Sequence, residues 1–384
     1  MNGGYYYVHK KKNHYVTNCC SSWHYFWKTF PSGSRKYVAW WNTLRWEYLM
    51  KVADGRGEKS MYFTLCIIVF IVSFIGSVIF KLKYKPKSVR RFEVKKGDTS
   101  VGTKVTDLVY GEKLSNKFDL YFPTGEKKDS YGLVAYLHAG GFTQGDKSED
   151  ESILRWLCSK GYVAAGINYT LFSEANPDAN VYTQSVEIRE SIPFVIGEAK
   201  KRGYVIDQMA IAGGSAGGAL ALLYAYRDAD TSPVPVKMVY EGVGPSSFYP
   251  EDWKCFGFDK EEGKKEALEL FSTMSGNRLT EDMLGTEKYD EAIKNISALL
   301  WVNERSVPAV LAYGTYDKLQ SFEASVRLDK KLTECGVDHA YIVCEHSGHG
   351  LQNDTKKYLE YLETVEKYLD RYIPVNKLEK ITVF

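Results

Sequence analysis

From about residue 100 to the C-terminal end, short apolar runs alternate with longer amphipathic segments. Short apolar runs bounded by turn residues are typical of buried strands, and the longer segments repeat their apolar residues with a helical period. This alternation predicts an α/β fold with a mostly parallel, eight-stranded sheet flanked by helices. The predicted strands are residues 105–110, 117–122, 133–138, 163–168, 209–213, 237–241, 309–313 and 340–344.

Helical periodicity fills most of the connections between these strands. Connections of this length allow neighbouring strands to run parallel with a helical crossover between them. The domain that results is predicted to cover residues 100–373, followed by a C-terminal tail at 374–384. The predicted helices are residues 151–159, 185–201, 216–226, 323–335 and 356–371.

Residues 245–300 interrupt the alternation, because they contain two charged helical segments, 260–271 and 286–296, and no strand pattern. We interpret them as a small helical cap inserted over the carboxyl edge of the sheet. The cap either covers a pocket at that edge with an apolar wall or uses its aromatic side chains to anchor itself to the core. The aromatic residues concerned are Phe248, Tyr249, Trp253 and Phe256.

The run from Met61 to Phe80 contains twenty residues and no charge. At about 1.5 Å per residue, a helix of this length spans about 30 Å, the thickness of the hydrocarbon core of a bilayer. We therefore predict one transmembrane helix at residues 61–80. A cleaved signal peptide and a buried core helix are the alternatives, although the run is longer than the apolar region of a typical signal peptide.

Positive charges flank this run unequally, with four Lys and Arg residues within about 20 residues on its N-terminal side and eight on its C-terminal side, in a basic linker at 81–99. Because positive residues are enriched on the cytoplasmic side of a membrane, this bias predicts a single-pass protein whose large C-terminal domain faces the cytoplasm. The seven cysteines agree, since their odd number and their spacing suggest neither a disulfide framework nor a zinc site.

The N-terminal residues 1–60 contain ten Lys and Arg against three Asp and Glu, and five of the eight Trp residues. One hypothesis is an aromatic, basic tail at the membrane surface. The other is that residues 1–60 are not translated, because Gly57-Glu58-Lys59-Ser60 can be encoded by a purine-rich, ribosome-binding type of sequence just before Met61.

Residues 81–384 contain 40 basic and 45 acidic residues, which argues against binding of nucleic acid.

A G-x-S-x-G sequence, Gly213-Gly214-Ser215-Ala216-Gly217, lies between a predicted strand and a predicted helix. A serine in this position is held on a tight turn, where the flanking glycines let the backbone bend without a Cβ clash. The helix that begins behind it presents its positive dipole end where negative charge would develop. Ser215 is therefore the candidate nucleophile.

A second glycine pair, Gly140-Gly141, directly follows the predicted strand that ends at His138. Main-chain N–H groups in such a segment can point at a substrate oxygen without an intervening side chain. Together with the N–H of Ala216 they can form an oxyanion hole. A structural turn packed by His138 is the alternative interpretation.

Two further candidates follow later strands and so fall on the same carboxyl edge of the sheet. Asp317 comes just after the strand that ends at residue 313, and His349 comes just after the strand that ends at residue 344. His349 would act as the general base for Ser215, and Asp317 would orient it. The competing residues are His346 for the base, and Glu323, Asp329 and Asp338 for the acid.

With these motifs, residues 100–373 resemble α/β-hydrolases of the hormone-sensitive-lipase-like esterase group, and they are also similar to acetyl-xylan and feruloyl esterases and to kynurenine formamidases. His138-Ala139-Gly140-Gly141 is similar to the HGGG loop of that group, and residues 213–218 to its GDSAGG segment. Residues 168–171, Asn-Tyr-Thr-Leu, resemble its DYRL segment. The resemblance implies that the oxyanion N–H groups belong to Gly140, Gly141 and Ala216. Ala139 and Gly214 depart from the motifs.

The sequence thus predicts a serine carboxylic-ester hydrolase that forms an acyl-enzyme on Ser215, acts on a small-molecule ester and needs no metal or cofactor. Hydrolysis of an amide or peptide by the same three residues is one alternative, as in arylformamidases or serine peptidases. A non-catalytic scaffold tethered to the membrane is the other.

Overall fold

The computed structural model describes residues 56–83 and 86–375. The predictions for residues 1–55 and 376–384, which include most of the N-terminal tail and of the C-terminal tail, lie outside the described residues. The chain divides into two units, residues 1–84 and residues 85–384.

In the first unit, the described residues 56–83 form a long helix, α1 (Arg56–Lys83). Its segment Tyr62–Phe80 is long and apolar enough to cross a membrane. Large apolar side chains such as Phe63 and Val72 are exposed within this unit. The hydroxyl of Ser77 donates to the carbonyl of Ser73 at 2.6 Å, so this polar group is satisfied inside the helix.

The second unit contains an open, mixed sheet of eight strands in the order β1-β2-β4-β3-β5-β6-β7-β8. The prediction of an α/β fold is confirmed. Strand β2 pairs antiparallel with both β1 and β4. The other neighbouring pairs of this sheet, β4–β3, β3–β5, β5–β6, β6–β7 and β7–β8, are parallel. The strands are β1 (Gly102–Val109), β2 (Lys117–Pro123), β3 (Tyr131–Leu137), β4 (Val163–Ile167), β5 (Ile206–Gly214), β6 (Val236–Gly242), β7 (Ala309–Gly314) and β8 (His339–Cys344).

Helices cover both faces of this sheet. Side chains of successive strand residues point to opposite faces, and Leu133 and Val134 of β3 accordingly lie in two different apolar clusters. Both faces are buried, which explains why the parallel strands are continuous apolar runs. The helices are α2 (Lys87–Arg90), α3 (Glu151–Ser159), α4 (Val181–Lys201), α5 (Ala216–Leu223), α6 (Glu261–Ser275), α7 (Glu287–Ile293), α8 (Phe322–Glu334) and α9 (Thr355–Tyr372), with helical turns at Lys147–Asp150, Tyr224–Asp228, Ala229–Thr231, Pro250–Phe256, Glu281–Met283 and Ala298–Trp301.

Part of the segment that we interpreted as a basic linker, residues 81–99, is packed into the second unit. Val89 and Phe92 are buried there, and the ring of Phe92 lies 5.4 Å from that of Trp156 on α3. The many Lys and Arg residues of this segment made it look like an exposed linker, so these two apolar anchors were not predicted. Lys and Arg side chains can cover apolar surface with their stems while their charges stay in water.

The insertion at 245–300 contains α6, α7 and two of the short helical turns, and a third, Ala298–Trp301, ends one residue beyond it. Its aromatic side chains pack on one another: Phe248 and Trp253 are buried, and their rings lie 5.3 and 5.6 Å from the ring of Phe271. The indole N–H of Trp253 donates to the carbonyl of Ser247 at 2.9 Å. Phe248 and Trp253 belong to the same buried apolar cluster as Leu133 of β3, so they join the insertion to the core.

A buried ionic cluster ties the antiparallel end of the sheet to α3. Asp119 on β2 is 1% exposed, and its two carboxylate oxygens lie 3.1 Å from Lys147 Nζ and 3.2 Å from Lys104 Nζ. Lys104 also reaches Glu151, which pairs with Arg155 at 2.7 Å. This charge balance allows a carboxylate to occupy the interior of the sheet.

Candidate active site

Ser215 lies on the tight turn between β5 and α5. Its φ and ψ angles are 54° and −120°, a conformation that is strained for any residue with a Cβ. Its N–H donates to the carbonyl of Gly242 at 2.8 Å, which ties the turn to β6. A Cβ on Gly217 would come within 2.0 Å of the carbonyl oxygen of Leu137, so only glycine lets α5 start this close to the end of β3.

Two hydrogen bonds join Ser215, His349 and Asp317. His349 Nε2 lies 2.8 Å from Ser215 Oγ, and His349 Nδ1 lies 2.7 Å from Asp317 Oδ2. The structure thus brings together the three side chains that were predicted from the strand ends. In this arrangement the histidine can accept the serine proton while the carboxylate holds its other ring nitrogen protonated.

The carboxylate of Asp317 is fully buried, and its orientation is fixed by the main chain. Oδ1 accepts the N–H groups of Leu319 at 2.8 Å and Gln320 at 3.2 Å. Because Oδ1 has these two partners, Oδ2 remains directed at His349.

The competing candidates have other partners. His346 is largely exposed, and its Nδ1 lies 2.9 Å from Asp354. Asp329 lies 3.0 Å from His339 Nε2, and Asp338 accepts a hydrogen bond from Arg371. Glu323 lies 3.4 Å from Lys254 Nζ. None of these four contacts Ser215 in the part of the chain that the structure describes.

The loop after β3 turns sharply at three successive residues. Gly140, Gly141 and Phe142 have φ angles of 131°, 59° and 67°. A Cβ on Gly140 would lie 1.9 Å from the carbonyl oxygen of Gln144, so this position requires glycine. Gly217 of α5 abuts Leu137 and the carbonyl of His138, so the loop begins beside the turn that carries Ser215.

The family of the chain follows from residues 118–332, which match the family model BD-FAE. The chain belongs to the BD-FAE family. The matched range covers β2 to α8 and includes Ser215 and Asp317.

This BD-FAE protein is also similar to curated proteins over part of its length. It is 29% identical over 124 residues to a kynurenine formamidase of Danio rerio, which covers 32% of this chain and 39% of that protein. It is 29% identical over 114 residues to a probable isoprenylcysteine alpha-carbonyl methylesterase of Oryza sativa subsp. japonica, which covers 30% of this chain and 26% of that protein. The chain therefore spans well under half the length of both relatives.

Among solved structures, the BD-FAE protein has the fold of a thermophilic esterase from Thermogutta terrifontis. The TM-score is 0.55 at 19% sequence identity, over 71% of this chain and 94% of that one. The likeness places the second unit among the α/β-hydrolase folds.

Neighbouring side chains fix the glycine loop of this BD-FAE chain in place. The ring of His138 stacks on that of Tyr169 at 4.3 Å, and the Tyr169 hydroxyl donates to the His138 carbonyl at 3.0 Å. Burial lowers the pKa of His138 more than its bond to the Ala139 carbonyl raises it, so the ring is neutral near pH 7. Gln184 on α4 donates to the carbonyls of Phe142 and Thr170 at 2.8 and 2.9 Å.

The role of Gln184 was missed in the sequence, because nothing in a helical pattern marks one buried amide as the support of a loop 42 residues away. Tyr169, in contrast, lies in the segment at 168–171 that resembles a family motif. The two departures from the family motifs leave this geometry intact. A Cβ on Gly214 would meet only the Gly242 carbonyl, at an ordinary 3.9 Å, and Ala139 directs its own carbonyl to His138 Nδ1.

No group of three or more His, Cys, Asp or Glu side chains in residues 56–83 and 86–375 is arranged to hold a metal ion. We assign no residue of this site to a metal or a cofactor.

Proposed function

We propose that this chain is a serine hydrolase of carboxylic esters that works through an acyl-enzyme on Ser215. The observation that carries the proposal is the continuous hydrogen-bonded chain from the buried Asp317 through His349 to Ser215 Oγ. The strained turn at Ser215 supports it, because that geometry exposes a serine hydroxyl at the carboxyl edge of the sheet.

The reaction follows from this geometry. Ser215 Oγ attacks the ester carbonyl carbon while His349 Nε2 takes the hydroxyl proton. The N–H groups of Gly140, Gly141 and Ala216 stabilise the oxyanion that forms. The bond to the alcohol oxygen then breaks, and the alcohol leaves with the proton from His349. Water repeats the sequence and releases the carboxylic acid and free Ser215.

The proposal predicts that Ser215→Ala abolishes hydrolysis of p-nitrophenyl esters from acetate to palmitate by the full-length chain. Loss of the hydroxyl removes the nucleophile, so the rate should fall to the background hydrolysis by buffer, and a fluorophosphonate should label only the wild-type chain. Ser325→Ala, a buried serine on α8, is the matched control and should retain the wild-type rate. Absence of both hydrolysis and labelling in the wild-type chain would instead favour a non-catalytic scaffold.

The similarity to a kynurenine formamidase favours a second candidate, hydrolysis of a formamide by the same three residues. N-formylaniline added to the ester panel separates the two candidates. A larger kcat/KM for the ester supports the first proposal, and a larger value for the formanilide supports the second.

We also propose that α1 is a single-pass membrane anchor and that the second unit faces the cytoplasm. The support is the apolar segment Tyr62–Phe80 and the excess of Lys and Arg after it. The chain is expected to stay in the membrane pellet after alkaline carbonate extraction, and deletion of residues 61–80 should release it. A thiol reagent that does not cross membranes should label the exposed Cys255 only from the cytoplasmic side; labelling from the outer side would reverse the orientation.

A further inference from the structure

Beside the turn that carries Ser215, a second strained turn follows β6. Gly214 and Gly242 are paired in the sheet, and each is followed by a residue with a left-handed backbone, Ser215 with φ 54° and Val243 with φ 55°. A β-branched residue is a rare outlier in this region and stays there only when its surroundings hold it. Because Ser215 donates to the Gly242 carbonyl, the geometry of the second turn fixes the main chain of the nucleophile.

The side chain of Glu241 holds this second turn. Glu241 is fully buried, and its Oε2 accepts the N–H of Gly244 at 2.7 Å. The Tyr313 hydroxyl donates to the Gly244 carbonyl at 2.8 Å, and the Val243 N–H donates to Ala312 at 2.9 Å. Each residue from 242 to 244 thus has a hydrogen-bond partner for a main-chain group, and the partner of the Gly244 N–H is a carboxyl group.

The same carboxyl group touches the first turn of α5. A Cβ on Gly218 would lie 2.8 Å from Glu241 Oε2 and 3.2 Å from Gly244 Cα. Glu241 therefore fills the space between the second turn and the helix that starts at Ser215, and Gly218 is required for it to fit there.

We propose that Glu241 is a positioning residue for Ser215, acting as a neutral carboxyl group that fixes the turn at residues 242–244. This inference rests on the proposed function and goes beyond it, because Glu241 does not belong to the Ser215, His349 and Asp317 set.

The neutral state follows from the surroundings of the carboxyl group. The titratable side chains that act on it from its own face of the sheet, on β7, β8 and the helical turn after α5, are Tyr313, Tyr341 and Tyr226, whereas Tyr136 and Tyr361 lie on the opposite face. No cation pairs with Glu241 among residues 86–375. Burial raises the pKa of Glu241 to about 8, and the bond from the Gly244 N–H offsets this only in part. A neutral carboxyl group also leaves the positive end of α5 free to stabilise the oxyanion.

Two substitutions separate the parts of this proposal. Glu241→Gln keeps the acceptor oxygen for Gly244 and is neutral at every pH, whereas Glu241→Ala removes the acceptor. At pH 7 we expect Glu241→Gln to hydrolyse the ester within threefold of the wild-type rate. We expect Glu241→Ala to lose at least tenfold in kcat with KM within twofold, because the nucleophile rather than substrate binding is disturbed. Glu360→Gln, an exposed position on α9, should match the wild type throughout.

The pH profile is the readout that a merely structural role would not move. The wild-type rate should fall between pH 8 and pH 9.5 as Glu241 ionises, and the Glu241→Gln rate should not. Stability should follow the same group: since its folded pKa lies above the unfolded value near 4.5, the wild type binds more protons when folded, and its stability falls as pH rises from about 4.5 to 8. The thermal midpoint of Glu241→Gln should therefore exceed that of the wild type by an increasing margin over this range.

Equal alkaline decline in the wild type and Glu241→Gln, or a folded Glu241→Ala with full kcat, would overturn the proposal. If Glu241→Ala does not fold, the pH profiles of the other two proteins decide. If the wild type neither hydrolyses any ester nor reacts with a fluorophosphonate, the proposed function fails. Even then, a difference in thermal midpoint between the wild type and Glu241→Gln that stays constant from pH 4.5 to 8 would show that Glu241 is not a neutral carboxyl group.

Discussion

Asp317→Asn is expected to lower kcat for ester hydrolysis about 10⁴-fold, the size of effect typical of this change in a serine–histidine–carboxylate set, with little change in KM. The reason lies in the two ends of the side chain. The N–H groups of Leu319 and Gln320 both donate to Oδ1, so the amide oxygen of the substituted side chain must occupy that position. Its NH₂ group then faces His349 Nδ1 and donates to it, which puts the histidine proton on Nε2.

A histidine in that tautomer donates to Ser215 Oγ and cannot accept its proton, so acylation loses its base while the fold is preserved. Labelling by a fluorophosphonate should slow in parallel, because it uses the same nucleophile. Asp329→Asn is the matched control: it changes a carboxylate that lies 3.0 Å from another histidine, His339, and should leave kcat unchanged. A loss of less than tenfold in Asp317→Asn would show that Asp317 does not orient the base.

Ser215, Asp317 and His349 could be located in the sequence because each follows an apolar strand and is marked by neighbouring glycines. Parallel strands place their carboxyl ends at one edge, so three positions spread over more than 130 residues become neighbours once the order of strands is read correctly. Strand order by itself does not choose between His346 and His349, whereas the glycines on both sides of His349 favour it. The structure separates them by their partners, Asp354 for the first and Asp317 for the second.

Gln184 and Glu241 could not be identified in this way. Each is a single polar residue in an apolar or amphipathic pattern, and its partner is a main-chain group of a turn: Phe142 for Gln184 and Gly244 for Glu241. A backbone acceptor or donor leaves no signature in the residue types of the turn. Such support of a strained segment becomes visible only when the distances are known.

The antiparallel end of the sheet was outside the reach of the sequence pattern for a related reason. Alternation of strands and helices specifies parallel crossovers, whereas β1 and β2 are joined directly and their direction depends on a short connection. Asp119 is an example. A carboxylate in an apolar strand argues against burial of that strand, and only the structure shows that Lys104 and Lys147 lie beside it and balance its charge.

Asp119→Asn is expected to lower the free energy of unfolding by about 3–5 kcal/mol, the range for removing one partner of a buried ion pair. The substitution preserves the shape of the side chain and the acceptor for the Asp107 N–H, which lies 3.0 Å from Oδ1. The ammonium groups of Lys104 and Lys147, 17% and 6% exposed, then keep only Glu151 and Asp107 as carboxylate partners, so we expect the lower end of this range, about 3 kcal/mol. Urea unfolding of the wild-type and variant chains, followed by tryptophan fluorescence, measures the difference.

Glu360→Gln is the control for this comparison, because it breaks an ion pair with Lys357 in which both side chains are about half exposed. Exposed pairs contribute little, so a change within about 0.5 kcal/mol is expected.

The ionic cluster around Asp119 should also be sensitive to acid. Burial alone would raise the pKa of Glu151, but its bonds to Arg155, the Gly97 N–H and Lys104 lower it to about 2. Its stabilising contribution is therefore complete above about pH 4.5 and is lost as the pH falls towards 2. If Asp119→Asn changes stability by no more than the control, the cluster does not hold this end of the sheet.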